Sequence, residues 1–180
     1  MRRLLAFIVA AIAIALGGCS DEAPAGMPAP FPLTAEAIGR YCGMNVLGHP
    51  GPKGQIILGQ IPEPIWFSSA RDTVAFTRLP EEPKNISAIY VSDMAQAQSW
   101  EQPGSENWID AREAFYVIGS SATGGMGASE VVPFSTSEVA DAFARENGGR
   151  VVAFDDIPSD YVLGDGGDAG AIPEATGETE

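Results

Sequence analysis

Two stretches of the chain repeat one pattern: residues 65–76 read IWFSSARDTVAF, and residues 132–143 read VPFSTSEVADAF. In both, a Phe-Ser pair ends an apolar run, and a second phenylalanine follows nine residues after the first. Ser and Thr at such a junction can cap a helix, and Asp72 or Glu138 then falls near the positive N-terminal end of that helix. Each stretch is therefore predicted to be the end of a strand followed by a helix.

Strand candidates surround both repeats. Runs rich in β-formers follow the two helices at residues 86–91 and 150–154, and the Asn-Gly-Gly at residues 147–149 is typical of a helix end. Earlier strand candidates lie at residues 55–58 and 114–118. The order strand, strand, helix, strand thus occurs twice, which predicts an α+β fold of two similar half-domains with shared or abutting cores. Because the repeat is short, a chance similarity is the alternative.

The N-terminus has the features of a secretory signal peptide. Two arginines follow Met1, residues 4–16 form an uncharged apolar run, and two glycines precede Cys19. The run is shorter than the roughly 20 residues that a membrane-spanning helix needs. Its end, Leu-Gly-Gly-Cys, resembles the bacterial lipobox, in which the cysteine is acylated and becomes the first mature residue. We therefore predict a lipoprotein signal peptide at residues 1–18 and lipidation of Cys19, with an ordinary signal peptide as the alternative.

Composition divides the rest of the chain. Residues 19–35 are rich in proline, alanine and glycine, which is typical of a flexible tether. Residues 163–180 carry five acidic and no basic side chains, which is typical of a disordered acidic tail. Between them we expect the first half-domain at residues 36–95, and the second half-domain, with a Trp-containing linker, at residues 96–162.

Charge and cysteine content exclude several classes of protein. The 180 residues include 10 basic and 24 acidic side chains, a formal charge of −14 that becomes −16 once residues 1–18 are removed. This charge argues against a nucleic-acid partner and against electrostatic docking on anionic lipid. Two cysteines and one histidine are too few for a disulfide-rich scaffold or for a zinc site with four Cys or His ligands.

A lone thiol outside the cytoplasm needs an explanation. Lipidation of Cys19 leaves Cys42 without a disulfide partner, in a compartment where disulfides are normal. Cys42 precedes Gly43 and Met44, and thiolate and thioether are soft ligands that favour Cu(I). If this loop is extended, both sulfurs point to the same side. The alternative is that Cys42 and Met44 fill gaps in the core.

A second sulfur candidate is Met126, whose flanking glycines leave it few packed neighbours in sequence. The alternative is a hairpin loop with an incidental methionine. His49 and Met94 are further candidates, although His49 is as easily an exposed turn residue. No P-loop or Gly-x-Ser-x-Gly motif is present, so we do not predict an enzyme.

Together these residues resemble the NosL family of copper-binding lipoproteins, which are accessory to bacterial nitrous oxide reductase. The resemblance covers about residues 36–156 and the lipobox. It is carried by short motifs spread along the chain: Tyr-Cys-Gly-Met at 41–44, Trp-Phe-Ser-Ser at 66–69, the Trp-containing linker, Tyr-Val-Ile-Gly-Ser at 116–120, Gly-Met-Gly at 125–127 and Pro-Phe at 133–134.

The resemblance implies a duplicated strand-strand-helix-strand fold and a protein that faces the periplasm from a lipid anchor in the inner or outer membrane. It implies that Cu(I) passes to nitrous oxide reductase with the help of an ABC-type transporter complex. Cys42, Met44 and Met126 match the family's sulfur positions. Gly125 stands where the family often has proline, which would loosen the loop but keep the sulfur.

Two alternative functions stay open at this point. One is a membrane-tethered adaptor lipoprotein that binds no metal and in which Cys42 is buried. The other is a periplasmic lyase, because the fold also resembles part of organomercurial lyase. That chemistry uses a pair of cysteines with a carboxylate, whereas the mature chain has only Cys42 besides the lipidated residue. The sequence leaves open whether His49, Met94 or solvent completes a copper site.

Overall fold

The computed structural model describes residues 26–164, which contain seven β-strands and three α-helices. The strands are β1 (Gly54–Leu58), β2 (Ile65–Phe67), β3 (Ile86–Ser92), β4 (Trp108–Asp110), β5 (Phe115–Ile118), β6 (Val132–Phe134) and β7 (Arg150–Ala153), and the helices are α1 (Ala70–Arg78), α2 (Ser137–Asn147) and α3 (Ser159–Leu163). Within these residues, no helix is long and apolar enough to cross a membrane. The predicted signal peptide, Cys19 and the acidic tail beyond Gly164 lie outside the described residues.

The strand order confirms the internal repeat. The first sheet has the order β2-β1-β3-β4 and the second has the order β6-β5-β7, with every neighbouring pair antiparallel. In each half, two strands form a hairpin and a helix then leads to the strand on the other side of the first one. The predicted α+β fold with two strand-strand-helix-strand halves is therefore confirmed.

The predicted helix caps are also confirmed. Ser69 Oγ accepts a hydrogen bond from the backbone N–H of Asp72 at 3.2 Å, and Thr136 Oγ1 accepts one from the N–H of Val139 at 3.4 Å. Each hydroxyl thus satisfies an N–H group that has no partner within its helix. At the other end of α2, Gly148 has φ +77°, a left-handed conformation that glycine adopts without steric cost.

The two sheets share one core. Side chains from β1, β2 and β3 pack with side chains from β5 and β7 and with the buried side of α1. Because neighbouring residues on a strand point to opposite faces, Tyr116 and Ile118 enter this shared core, whereas Val117 faces α2 on the other side of the second sheet. The two halves therefore share one core. The sequence had left open whether their cores are shared or only abut.

Gly54 lets α1 lie directly on β1. A Cβ atom at position 54 would lie 2.8 Å from both Cβ and Cγ2 of Thr73, so a side chain there would push the helix away. We expect Gly54→Ala to lower the free energy of unfolding by about 1–3 kcal/mol, the usual cost of overpacking, as measured by urea denaturation. Gly48→Ala is the matched control, because its new Cβ would meet nothing within 4 Å. Equal stabilities of the two variants would contradict this account.

Parts of the predicted tether and linker lie on the first sheet. Tyr90 Oη donates to the carbonyl of Pro28 at 2.6 Å. The N–H and carbonyl of Phe31 both bond to the side-chain amide of Gln55, at 2.8 and 2.9 Å. Within the predicted linker, β4 pairs with β3 as an additional edge strand. The sequence did not predict β4, because its three residues lie outside the repeat.

Candidate metal site

The Cys42 loop (residues 38–45) is a tight turn whose two ends are bridged to each other. The N–H of Gly39 donates to the carbonyl of Met44, and the N–H of Gly43 donates to the carbonyl of Gly39, both at 2.9 Å. Gly43 has φ +66°, which reverses the chain between the two sulfur residues. The loop is therefore curled, and the extended geometry considered for Cys42 and Met44 is not the one observed.

The first sheet anchors this loop. The N–H of Arg40 donates to the carbonyl of Trp66 on β2 at 2.7 Å. The ring of Tyr41 packs against the buried ring of Phe67, with centroids 5.6 Å apart, and its hydroxyl donates to Glu82 Oε1 at 3.1 Å. These contacts fix the Cys42 loop beside the end of β2, next to the junction between β2 and α1 (residues 68–69).

The Cys42 thiol is half-buried and has two polar neighbours. Ser68 Oγ donates to Cys42 Sγ at 3.5 Å, and Sγ donates to the carbonyl of Met44 at 3.8 Å. Gly39 leaves room for the sulfur, because a Cβ atom there would lie 2.5 Å from Sγ. The side chain of Met44 is 45% exposed, so it does not fill the core. The thiol is thus oriented by weak hydrogen bonds in a position that solvent reaches.

Met126 lies at the tip of a short hairpin, the Met126 turn (residues 123–129). The N–H of Gly127 donates to the carbonyl of Gly124 at 2.8 Å, which makes Gly125 and Met126 the central residues of a β-turn. The side chain of Met126 is 56% exposed. β5 and β6 form the hairpin that was considered as the alternative to a ligand role, and the exposed Met126 is not a core residue.

The Cys42 loop and the Met126 turn both lie against the β2–α1 junction. Ser68 contacts the Cys42 sulfur, as described above. The Cβ atom of the next residue, Ser69, lies 3.7 Å from the position that a Cβ atom would take at Gly124. A loop from each half-domain, one carrying Cys42 and the other carrying Met126, therefore lies against the same pair of serines, although Cys42 and Met126 are 84 residues apart in sequence.

The remaining candidate ligands differ in their surroundings. His49 packs against the Met126 turn, since a Cβ atom at Gly125 would lie 2.6 Å from His49 Cβ and 2.9 Å from Nδ1. Met94 is partly buried and packs in the apolar cluster between the second sheet and α2. Residues 26–164 contain no group of three or more His, Cys, Asp or Glu side chains that could hold a metal ion.

Sequence reasoning missed Glu130, which is buried at the same junction. The side chain is 1% exposed, and its Oε1 accepts hydrogen bonds from the N–H of Arg71 at 2.8 Å, the N–H of Val131 at 2.9 Å and Ser69 Oγ at 3.3 Å. Burial raises the pKa of Glu130 to about 7, although the two backbone N–H groups favour the charged form. Its only signal in the sequence is a carboxylate directly before an apolar strand.

A buried lysine fixes the segment that follows His49. Lys53 Nζ donates to the carbonyls of Pro50 at 3.0 Å and Gly51 at 2.5 Å. Burial lowers the pKa of Lys53 to about 8, and the negative charge of Glu130 opposes this shift. The ammonium group therefore fixes the backbone of residues 50–51, directly after His49, which packs against the Met126 turn.

Comparison with protein families gives one match that covers most of the chain, to the NosL family over residues 30–162. The chain belongs to the NosL family. Two relatives are named copper-binding lipoprotein NosL. The one from Achromobacter cycloclastes is 48% identical over 164 residues, covering 91% of this chain and 85% of the relative. The one from Stutzerimonas stutzeri is 34% identical over 149 residues, covering 81% and 75%.

The fold also resembles that of a NosL protein of known structure. The crystal structure of the copper chaperone NosL from Shewanella denitrificans superimposes with a TM-score of 0.67 at 34% identity, covering 73% of this chain and 96% of that one. The resemblance drawn from the short motifs is confirmed by these matches. The relatives are described as copper-binding lipoproteins or as a copper chaperone, and none of these descriptions is that of an enzyme.

Proposed function

We propose that this NosL-family chain is a lipid-anchored Cu(I) chaperone that supplies copper for assembly of the copper centres of nitrous oxide reductase. One observation carries the proposal: a half-buried thiol contacts one strand–helix junction, and the turn that carries the exposed Met126 packs against the same junction from the other half-domain. Met44, also exposed, lies two residues after the thiol in the same loop. Thiolate and thioether select Cu(I) over harder cations. The names of the relatives, which specify copper and lipoprotein, support the same conclusion.

In this proposal Cys42 binds as a thiolate, and Met44 and Met126 complete a low-coordinate sulfur site. The metal replaces the thiol proton that now points to the carbonyl of Met44. The hydroxyl of Ser68 remains as a donor to the sulfur and holds it in place. Because copper and proton compete for Cys42, affinity weakens in acid. His49, packed against the Met126 turn, is the neighbouring candidate for a nitrogen ligand, with solvent as the alternative.

Release to a partner is supported by the exposure of the ligands. Two thioethers on glycine-flanked loops are displaced one at a time by ligands of an acceptor. Ile38, Tyr41, Met44 and Leu47 are between 43% and 53% exposed, so large apolar side chains concentrate in and beside the Cys42 loop. Such a surface suits protein contact. We propose nitrous oxide reductase and its ABC-type maturation complex as the partners, met in the periplasm from a lipid anchor on Cys19.

Anaerobic Cu(I) titration followed by transfer tests both parts of the proposal. A soluble form that begins at Ser20 retains every described residue, and we expect it to take a single tightly bound Cu(I) from a chromogenic chelator. The loaded protein should then restore copper to apo-reductase in the presence of the transporter complex, faster than the same amount of chelated Cu(I). Absence of binding would contradict the metal site, and binding without transfer would contradict delivery.

The two alternatives make different predictions for Cys42. A non-metal adaptor requires a thiol that reagents reach only after unfolding, whereas Cys42 is half-buried and both methionines of the proposed site are exposed. A lyase of the organomercurial type needs a cysteine pair, and Cys42 is the one cysteine among residues 26–164. Turnover that persists under copper chelation would favour the lyase.

A further inference from the structure

The second carboxylate oxygen of Glu130 faces the Met126 turn. Oε2 is buried and has no hydrogen-bond partner among residues 26–164. A Cβ atom at Gly124 would lie 2.5 Å from this oxygen, so the turn can close on the carboxylate only because residue 124 has no side chain. Gly124 is not in the left-handed region, which means that this contact, and not backbone conformation, requires glycine there.

The first carboxylate oxygen is bound to the other half-domain. Oε1 accepts from the N–H of Arg71 in the first turn of α1 and from the hydroxyl of Ser69. A carboxylate suits this position, because first-turn N–H groups lack intrahelical partners and the helix N-terminus is positive. The backbone N–H of Glu130 itself donates to the carbonyl of Ala122 at 3.0 Å, at the base of the Met126 turn.

We propose that Glu130 is a positioning residue of the metal site, which fastens the Met126 turn of the second half to the β2–α1 junction that holds Cys42. The inference rests on the proposed function, because it assumes that Cys42 and Met126 share one Cu(I). The two sulfurs belong to different half-domains, so their spacing depends on the contacts between the halves. Glu130 makes such a contact directly at the junction, without touching the metal.

Two variants disturb this contact in different ways. Glu130→Gln keeps the shape and one acceptor oxygen, but removes the charge and places an amide against Gly124. Gly124→Ala keeps the carboxylate, but its methyl group meets Oε2 and moves the turn. Asp93→Asn is the matched control. Asp93 is also buried and accepts backbone N–H bonds, from Ala95 at 2.9 Å and Ser135 at 3.0 Å, but it lies outside the junction.

A double-mutant cycle tests the proposal by anaerobic competition for Cu(I) in three backgrounds: wild type, Met126→Leu and Met44→Leu. In the wild-type and Met44→Leu backgrounds, we expect Glu130→Gln and Gly124→Ala each to weaken Cu(I) affinity by about tenfold or more, the usual cost of losing a supporting partner. In the Met126→Leu background both should have no further effect. Asp93→Asn should leave the affinity unchanged in every background.

The outcomes separate this inference from the proposed function. If Glu130→Gln and Gly124→Ala lower Cu(I) affinity equally in all three backgrounds, Glu130 has a general structural role and the inference is overturned. Wild-type Cu(I) affinity in both variants would overturn it as well. Wild-type affinity in Met126→Leu would overturn the proposed ligand set together with the inference. An affinity that depends on Met126 but not on Glu130 or Gly124 would overturn the inference alone.

Discussion

Replacing Cys42 by serine is expected to abolish tight Cu(I) binding, with a loss beyond the roughly 10–100-fold that removal of a supporting partner costs. A hydroxyl is a hard, neutral donor, whereas the thiolate supplies both softness and the negative charge that balances Cu(I). Serine nevertheless keeps the polar contacts of the site, since it can accept from Ser68 and donate to the carbonyl of Met44. Anaerobic competition with a chromogenic Cu(I) chelator measures the loss.

Two controls make the Cys42 result specific. Met94→Leu removes a thioether that is packed between the second sheet and α2, and it should bind Cu(I) like the wild type. Urea unfolding of the metal-free proteins should give similar stabilities for Cys42→Ser and wild type, because the thiol is outside the core clusters. Wild-type affinity in Cys42→Ser would remove the central residue of the proposed site.

The duplicated fold was predictable because local chemistry and the repeat agree. In each half the same Phe-Ser junction ends a strand, and Ser69 and Thr136 cap the helices that follow. The strand end and the helix cap are both encoded by residues close together in sequence, because Ser and Thr are favoured at the first position of a helix. The edge strand β4 has neither signal, since its pairing with β3 depends on tertiary contact alone. An edge strand of this kind forms because another strand pairs with it, and the sequence of the strand itself does not show which strand that is.

The candidate site was only partly predictable for a related reason. Cys42, Met44 and Met126 stand out by residue type and by their glycines, but the placement of their two loops beside one junction follows from how the halves pack. The curled form of the Cys42 loop comes from Gly43, and glycine permits both extended and left-handed backbone. Glu130 was missed because its partner Arg71 lies 59 residues away and contributes only a backbone N–H, which any residue type would offer.

The same buried carboxylate makes the stability of the fold depend on pH. Burial raises the pKa of Glu130 from 4.5 to about 7 in the folded protein, so between these values the folded state holds a proton that the unfolded state has lost. Stability therefore falls as pH rises through this window, and the shift corresponds to about 3 kcal/mol when complete. Asp72, whose pKa burial also raises, contributes with the same sign. Urea unfolding of the metal-free protein from pH 4.5 to 7.5 measures the fall.

Glu130→Gln should remove most of this fall, because glutamine has no proton to exchange. Lys53 acts in the opposite sense at higher pH: burial lowers its pKa to about 8, so stability should recover between about pH 8 and the ordinary lysine value of 10.5 in both the wild type and Glu130→Gln. A wild-type slope in Glu130→Gln would mean that the carboxylate is already charged at pH 5. The helix N-terminus would then offset the whole cost of burying Glu130, and the contact between the halves would be an ionic one throughout this pH range.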